Sequence, residues 1–125
     1  MNKPPTRVYA TPPGLPLGPV DQIADGAARS FAVPVGDGRF HGFIVRMGEA
    51  IHAYVDRCPH VGMPLAMEPD DYLTPSGRLI GCSWHGAVFA IDTGRCLDGP
   101  CAGLYLTPWP VSIVDGDMVT AGPET

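Results

Sequence analysis

Glycine and proline set the grain of this chain, contributing 16 and 15 of its 125 residues. Glycine weakens a helix through backbone entropy, and proline through its missing donor and its ring clash with the preceding turn. Apolar residues still make up 45%, enough to close a core, so general disorder and a helical bundle are both excluded. Short strands joined by frequent turns are what remains. The length suits one domain, which at this size buries roughly two thirds of its unfolded surface.

The punctuation is uneven. Pro4, Pro5, Pro12, Pro13, Pro16 and Pro19 crowd the first stretch, where fixed φ and missing donors predict an extended surface arm. From Ser30 to Val33 a short strand leads through Pro34 to a hairpin turn at Gly36-Asp37-Gly38. Arg39 to Arg46 reads as an apolar-rich strand, and Ala50 to Val55 alternates with a period near two. Further runs lie at Leu79-Ile80, Ala87 to Ile91, Leu104 to Leu106, Val111 to Val114 and Met118 to Ala121, with turns at Asp92-Thr93-Gly94 and Asp115-Gly116-Asp117. No 3.6-residue period is sustained and no segment repeats. The predicted class is all-β, a sandwich or small barrel.

Charge narrows the partners. Eight basic residues, Lys3 the one lysine among them, face thirteen acidic ones, for a net charge of −5. A nucleic-acid surface is not expected from that balance. No apolar run approaches the ~20 residues that span a bilayer, and the first twenty residues hold no apolar core of a signal peptide. The expected location is cytoplasmic.

Four residues stand out by type and spacing: Cys58 and His60 in Cys58-Pro59-His60, then Cys82 and His85 in Cys82-Ser83-Trp84-His85. Each pair follows an apolar strand and sits in a glycine- or proline-shaped turn, so two loops at one end of a sandwich can present two sulfurs and two imidazoles to one centre. Thiolate and imidazole suit iron–sulfur clusters and zinc, whereas magnesium and calcium want oxygen. Zinc also accepts a Cys₂His₂ set, but Cys-x-His is tighter than its usual spacing.

The pattern resembles that of Rieske [2Fe–2S] proteins, in which two histidines replace two cysteines on one iron. Cys58-Pro59-His60-Val61-Gly62-Met63-Pro64-Leu65 is similar to the first cluster loop of that family, and Cys82-Ser83-Trp84-His85-Gly86-Ala87-Val88-Phe89 to the second. Asp92-Thr93-Gly94 and Gly99-Pro100 resemble its turn and its proline loop. The resemblance implies an antiparallel β-sandwich with a small cluster-binding subdomain, a Pro-rich N-terminal extension over 1–24 and a Rieske domain over 25–125. It further implies one [2Fe–2S] cluster, with Cys58 and Cys82 on one iron, His60 and His85 on the other, and Gly99 and Pro100 helping to cover it. The subgroup it points to is the soluble Rieske-type ferredoxins: carriers, not enzymes, which take electrons from a flavin-containing reductase and pass them to a Rieske-type or related oxygenase. A small subunit or docking module of a larger reductase complex is the alternative.

Departures from the high-potential members refine this expectation. Met63 and Trp84 stand where those members carry a disulfide between the loops, and Ala87 and Phe89 where they carry hydroxyls. Hydroxyl donors to cluster sulfur favour the reduced form, so a low potential is predicted. Cys96 and Cys101 flank the Gly99-Pro100 turn and are not ligands by the family pattern. His41 and His52 fall within strand patterns and read as ordinary sheet residues. The acidic stretch Glu68-Pro69-Asp70-Asp71, which opens a turn-rich excursion reaching Gly77, reads as a solvated turn or as a patch steering a basic partner.

Overall fold

The structure, a computed structural model, describes residues 6–57, 59, 65, 70–82, 86–99 and 102–121. In chain order the strands are β1 (Thr6–Val8), β2 (Pro16–Pro19), β3 (Ala28–Val35), β4 (Gly38–Met47), β5 (Ala50–Val55), β6 (Leu79–Gly81), β7 (Val88–Ala90), β8 (Cys96–Asp98), β9 (Val111–Val114) and β10 (Asp117–Thr120), with one 3-10 turn at Val20–Gln22. No α-helix occurs among the described residues.

The long strand β4 organises the fold. Along one edge it pairs antiparallel with β3, from Ala28↔Val45 to Val35↔Gly38. Its other edge is shared: β5 covers Gly42 to Met47 antiparallel, and β1 covers Gly38 to Phe40 parallel. At the gap between them, the His41 carbonyl accepts the Asp56 N–H at 3.0 Å. Among the described residues there are two smaller sheets, one ordered β2-β10-β9 and the other β6-β7-β8.

Alternation along β4 feeds two cores. Phe43 and Val45 join Tyr54, Tyr72, Ile80, Cys82, Phe89 and Leu106 beside the β6-β7-β8 sheet. Phe40 and Ile44 face the other way, toward Ile23, Val55, Trp109 and Met118. A strand buried on both faces reads as a near-continuous apolar run, as Phe43-Ile44-Val45 does. The architecture is an all-β, predominantly antiparallel sandwich carrying a small three-stranded subdomain.

The structure departs from expectation in three places. The proline-rich arm is woven into the sheets: β2 pairs with β10 and β1 with β4. Prolines are tolerated in β2 because it lies at a sheet edge, where a missing donor faces no neighbour. Leu104 to Leu106 forms no strand beyond the single bridge Arg95↔Tyr105, since its backbone bonds go to the 94–96 segment, Cys96 N–H to Leu104 O and Leu106 N–H to Gly94 O. Cys96–Asp98, read only as a place for surplus sulfurs, is a strand with a bulge against Val88 and Phe89.

Candidate metal centre

Cys82 directly follows β6 and leads into the reversal that returns as β7. Its N–H donates to the Ala87 carbonyl at 2.8 Å, and its carbonyl accepts from Gly86 N–H at 3.2 Å. Both ends of the 83–85 segment are thereby closed onto one another. Gly86 turns the chain at φ +70, a conformation cheap only for glycine. Cys82 is 5% exposed in an apolar cluster with Leu65, Tyr72 and Ala87.

The first loop is rooted differently. Asp56 is buried, and among the described residues its side chain has two partners: Oδ1 accepts the Leu65 N–H at 2.8 Å, and Oδ2 accepts the Tyr72 hydroxyl at 2.9 Å. A carboxylate two residues before Cys58 thus grips the backbone at the far end of the same loop. Tyr72 then connects the two roots. Its hydroxyl holds Asp56, its carbonyl accepts the Gly81 N–H at 2.8 Å, and its ring stacks on Phe43 with centroids 4.2 Å apart. Burial first, then the neighbouring Asp56 charge, pushes the Tyr72 hydroxyl well above the ordinary tyrosine range.

Cys58, His60 and His85 lie outside the described residues, as do Met63, Trp84, Pro100 and Cys101. What is described brings the roots of both loops together: Asp56 and Leu65 for the first, Gly81, Cys82 and Ala87 for the second, with Tyr72 between. Gly99 packs against that second root. At φ +104, an added Cβ would lie 2.7 Å from the Ala87 Cα, so a side chain there would force the two segments apart. A buried cysteine in an apolar surround, at the closed root of a tight loop, fits an iron–sulfur cluster, whose thiolates need shielding from water.

Other singled-out groups have places elsewhere in the fold. His41 and His52 sit in β4 and β5; burial, then the Arg7 charge, holds His41 below the usual histidine range. Asp70 is exposed in a turn, as expected, and is also an anchor, its Oδ1 accepting both Ser30 N–H at 2.6 Å and Ser30 Oγ–H at 2.9 Å; Glu68 and Pro69 lie outside the described residues. Cys96 is buried, with Sγ 3.3 Å from the Asp98 carbonyl oxygen. Sequence reading missed Asp56, Tyr72 and Arg7; only the closeness of Asp56 to Cys58 was available as a signal.

Tyr54 gives the site's supporting core a pH dependence. Its hydroxyl donates to the Ile91 carbonyl at 2.6 Å, and burial, then Asp92, pushes its pKa up to about 12. An unfolded tyrosine ionises near pH 10, so stability present below that value is lost as pH rises from about 10 to about 12. Tyr54→Phe is expected to flatten that alkaline fall while costing about 1 kcal/mol at neutral pH through the lost hydrogen bond. Denaturant titrations across this range check it; an unchanged slope in the variant would refute it.

Comparison with known proteins places these features. The Rieske [2Fe-2S] domain family matches residues 15–110. Ferredoxin CarAc of Metapseudomonas resinovorans is 30% identical over 79 residues, covering 63% of this chain and 68% of its own. A chain in a structure titled as the complex of reduced oxygenase and oxidised ferredoxin in carbazole 1,9a-dioxygenase superposes with a TM-score of 0.67 at 25% identity, covering 89% of this chain and 94% of that one. Apoptosis-inducing factor 3 of human and mouse is 39% identical over 57 residues, 46% of this chain, but the match spans only 9% of those proteins. With a family match over most of its length, the chain belongs to the Rieske [2Fe-2S] domain family, whose cofactor is a Rieske-type [2Fe–2S] cluster.

Proposed function

We propose that this chain is a one-electron carrier, taking electrons from a flavin-containing reductase and delivering them to a Rieske-type or related oxygenase in the cytoplasm. Cys58, His60, Cys82 and His85 would hold the cluster. When bound, it supplies a site that gains and loses one electron at a time, with two neutral imidazoles lowering its negative charge relative to an all-cysteine cluster. The observation that carries this reading is the Tyr72 strut, which joins the root of the Cys58 loop to the root of the Cys82 loop. The likeness to a ferredoxin, and to a chain crystallised with an oxygenase, supports the carrier role over a catalytic one. Among the described residues no helix is long and apolar enough to cross a membrane.

A direct test mixes the reduced protein anaerobically with the terminal oxygenase of carbazole 1,9a-dioxygenase as a surrogate acceptor, after reduction by a flavin-containing reductase. Rapid reduction by the flavoprotein and reoxidation by the oxygenase support the carrier role. Failure of both, with obligate co-purification with one large subunit, favours the second reading, a docking module of a larger reductase complex. The partial likeness to a much longer protein is the observation behind that alternative.

Ala87 and Phe89 set the expected potential. Both are buried apolar residues on the second loop side, 1% and 0% exposed, and neither offers a hydroxyl to a sulfur. The midpoint is expected below 0 mV. Ala87→Ser should raise it by about 20–60 mV, the equivalent of one hydrogen bond of about 0.5–1.5 kcal/mol. A wild-type midpoint well above 0 mV, or no rise in the variant, contradicts this.

A further inference from the structure

Residues 6–14 lie outside the span that the family matches, yet they touch the approach to the first ligand loop twice. The Arg7 guanidinium donates from Nη2 to the Asp56 carbonyl at 2.6 Å. The Arg57 guanidinium lies over the Tyr9 ring, 4.5 Å from its centroid. Asp56 and Arg57 are the two residues directly before Cys58. The convergence follows from the topology: β1 and β5 occupy the same edge of β4 end to end, meeting at His41, so the arm runs into the chain where it leaves the sheet for the loop.

The arm is anchored independently of that contact. Trp109 Nε1–H donates to Thr11 Oγ1 at 2.9 Å, Thr120 Oγ1–H donates to the Pro12 carbonyl at 2.7 Å, and Gly14 N–H donates to the Thr120 carbonyl at 2.8 Å. Arg7 is a costly way to add one more anchor. Its Nε is buried with no acceptor among the described residues, and an unmatched buried donor is destabilising. A methionine would fill the same space without that cost. What the guanidinium holds sets it apart from a simple anchor: the backbone carbonyl of the residue whose carboxylate grips Leu65 and Tyr72.

We infer that Arg7 is a positioning residue for the cluster, and that the N-terminal arm clamps the root of the Cys58 loop through Arg7 and Tyr9. The inference rests on the reading of Cys58 and His60 as ligands. Arg7 acts through Asp56: it holds the Asp56 carbonyl, and the Asp56 carboxylate in turn holds the Leu65 N–H and the Tyr72 hydroxyl. Clamped loop ends slow the opening by which a chelator reaches the iron. Partners outside a metal's direct ligands typically alter metal affinity 10–100-fold.

The test compares Arg7→Met, Arg7→Lys and Tyr9→Ala with Thr11→Val, which weakens the arm at its far anchor and leaves the Asp56 contact in place. Each holoprotein is challenged with an iron chelator while the visible absorbance is followed, and each reduced sample is examined by electron paramagnetic resonance. Arg7→Met is expected to lose its cluster about tenfold faster than wild type with a broadened or shifted signal. Arg7→Lys should fall between, and Tyr9→Ala, an exposed substitution, should show a smaller acceleration. Thr11→Val should lower thermal stability but keep the wild-type rate and signal. If Arg7→Met and Tyr9→Ala match wild type, or if Thr11→Val accelerates loss as much as they do, the arm is only an anchor and the inference is overturned. Should Arg7→Met not fold, Arg7→Lys and Tyr9→Ala decide by the same criteria. If wild-type protein holds no [2Fe–2S] cluster, the ligand reading fails and the clamp falls with it.

Discussion

Replacing Cys82 with alanine is expected to strip the protein of its cluster while leaving the fold intact. Cys82 is almost wholly buried among Leu65, Tyr72, Ala87 and Phe89, so alanine removes the sulfur without placing a new polar group in the core. A cluster with three of four ligands is no longer held on one side, and iron content should fall from about two per chain by at least about tenfold. Cys96→Ala is the matched control. That side chain is equally buried in β8, with its sulfur directed to the Asp98 carbonyl, and its loss should cost stability but not iron. Metal analysis of both variants separates the outcomes. Retention of full iron by Cys82→Ala, or an equal loss from Cys96→Ala, would show that the ligand assignment is wrong.

Asp56→Ala is expected to be the most destabilising single change outside the ligands. It strands two donors at once, the Leu65 N–H and the Tyr72 hydroxyl, both buried. Each unmatched group costs about 1–3 kcal/mol, giving an expected loss of about 2–6 kcal/mol. That is a large share of the stability of a domain this size, for which about 5–15 kcal/mol is ordinary. Asp56→Asn should cost much less, because its oxygen can still accept from Leu65 while its amide donates to the Tyr72 oxygen. Tyr72→Phe should lie between them, leaving one carboxylate oxygen without its donor. In a double-mutant cycle Asp56 and Tyr72 should couple, as groups sharing a buried bond do. Denaturant midpoints measure all four variants. A loss under about 1 kcal/mol for Asp56→Ala would mean that the first loop is held by something else.

Much of this molecule was legible from its residues, and the legible parts share a physical reason. Turns announce themselves through local chemistry. Gly36 and the Asp115-Gly116 pair adopt positive φ where the sequence placed hairpin turns. Gly94 does so with no room for a side chain, since an added Cβ would lie 2.8 Å from Tyr54 Cε1. The candidate ligands stand out in the sequence for the same reason, being confined to two short segments of distinctive residue types, of which Cys82 lies among the described residues. What escaped was long-range. Arg7 meets Asp56 across 49 positions and Asp56 meets Tyr72 across 16, and no local pattern encodes either contact. The strands β1 and β2 escaped because prolines read as loop residues, a rule that an edge strand evades. Leu104 to Leu106 misled in the opposite sense: its apolar run is spent covering the 94–96 segment, with Leu106 buried and Tyr105 58% exposed.

The central claim, that this chain carries a Rieske-type cluster, is tested most directly by electron paramagnetic resonance of anaerobically purified, dithionite-reduced protein, with iron, sulfide and zinc assayed on the same sample. The expected result is a rhombic Rieske-type signal with about two irons and two sulfides per chain and negligible zinc. A colourless, silent sample holding stoichiometric zinc would contradict it and make the two loops a structural zinc site in a binding module.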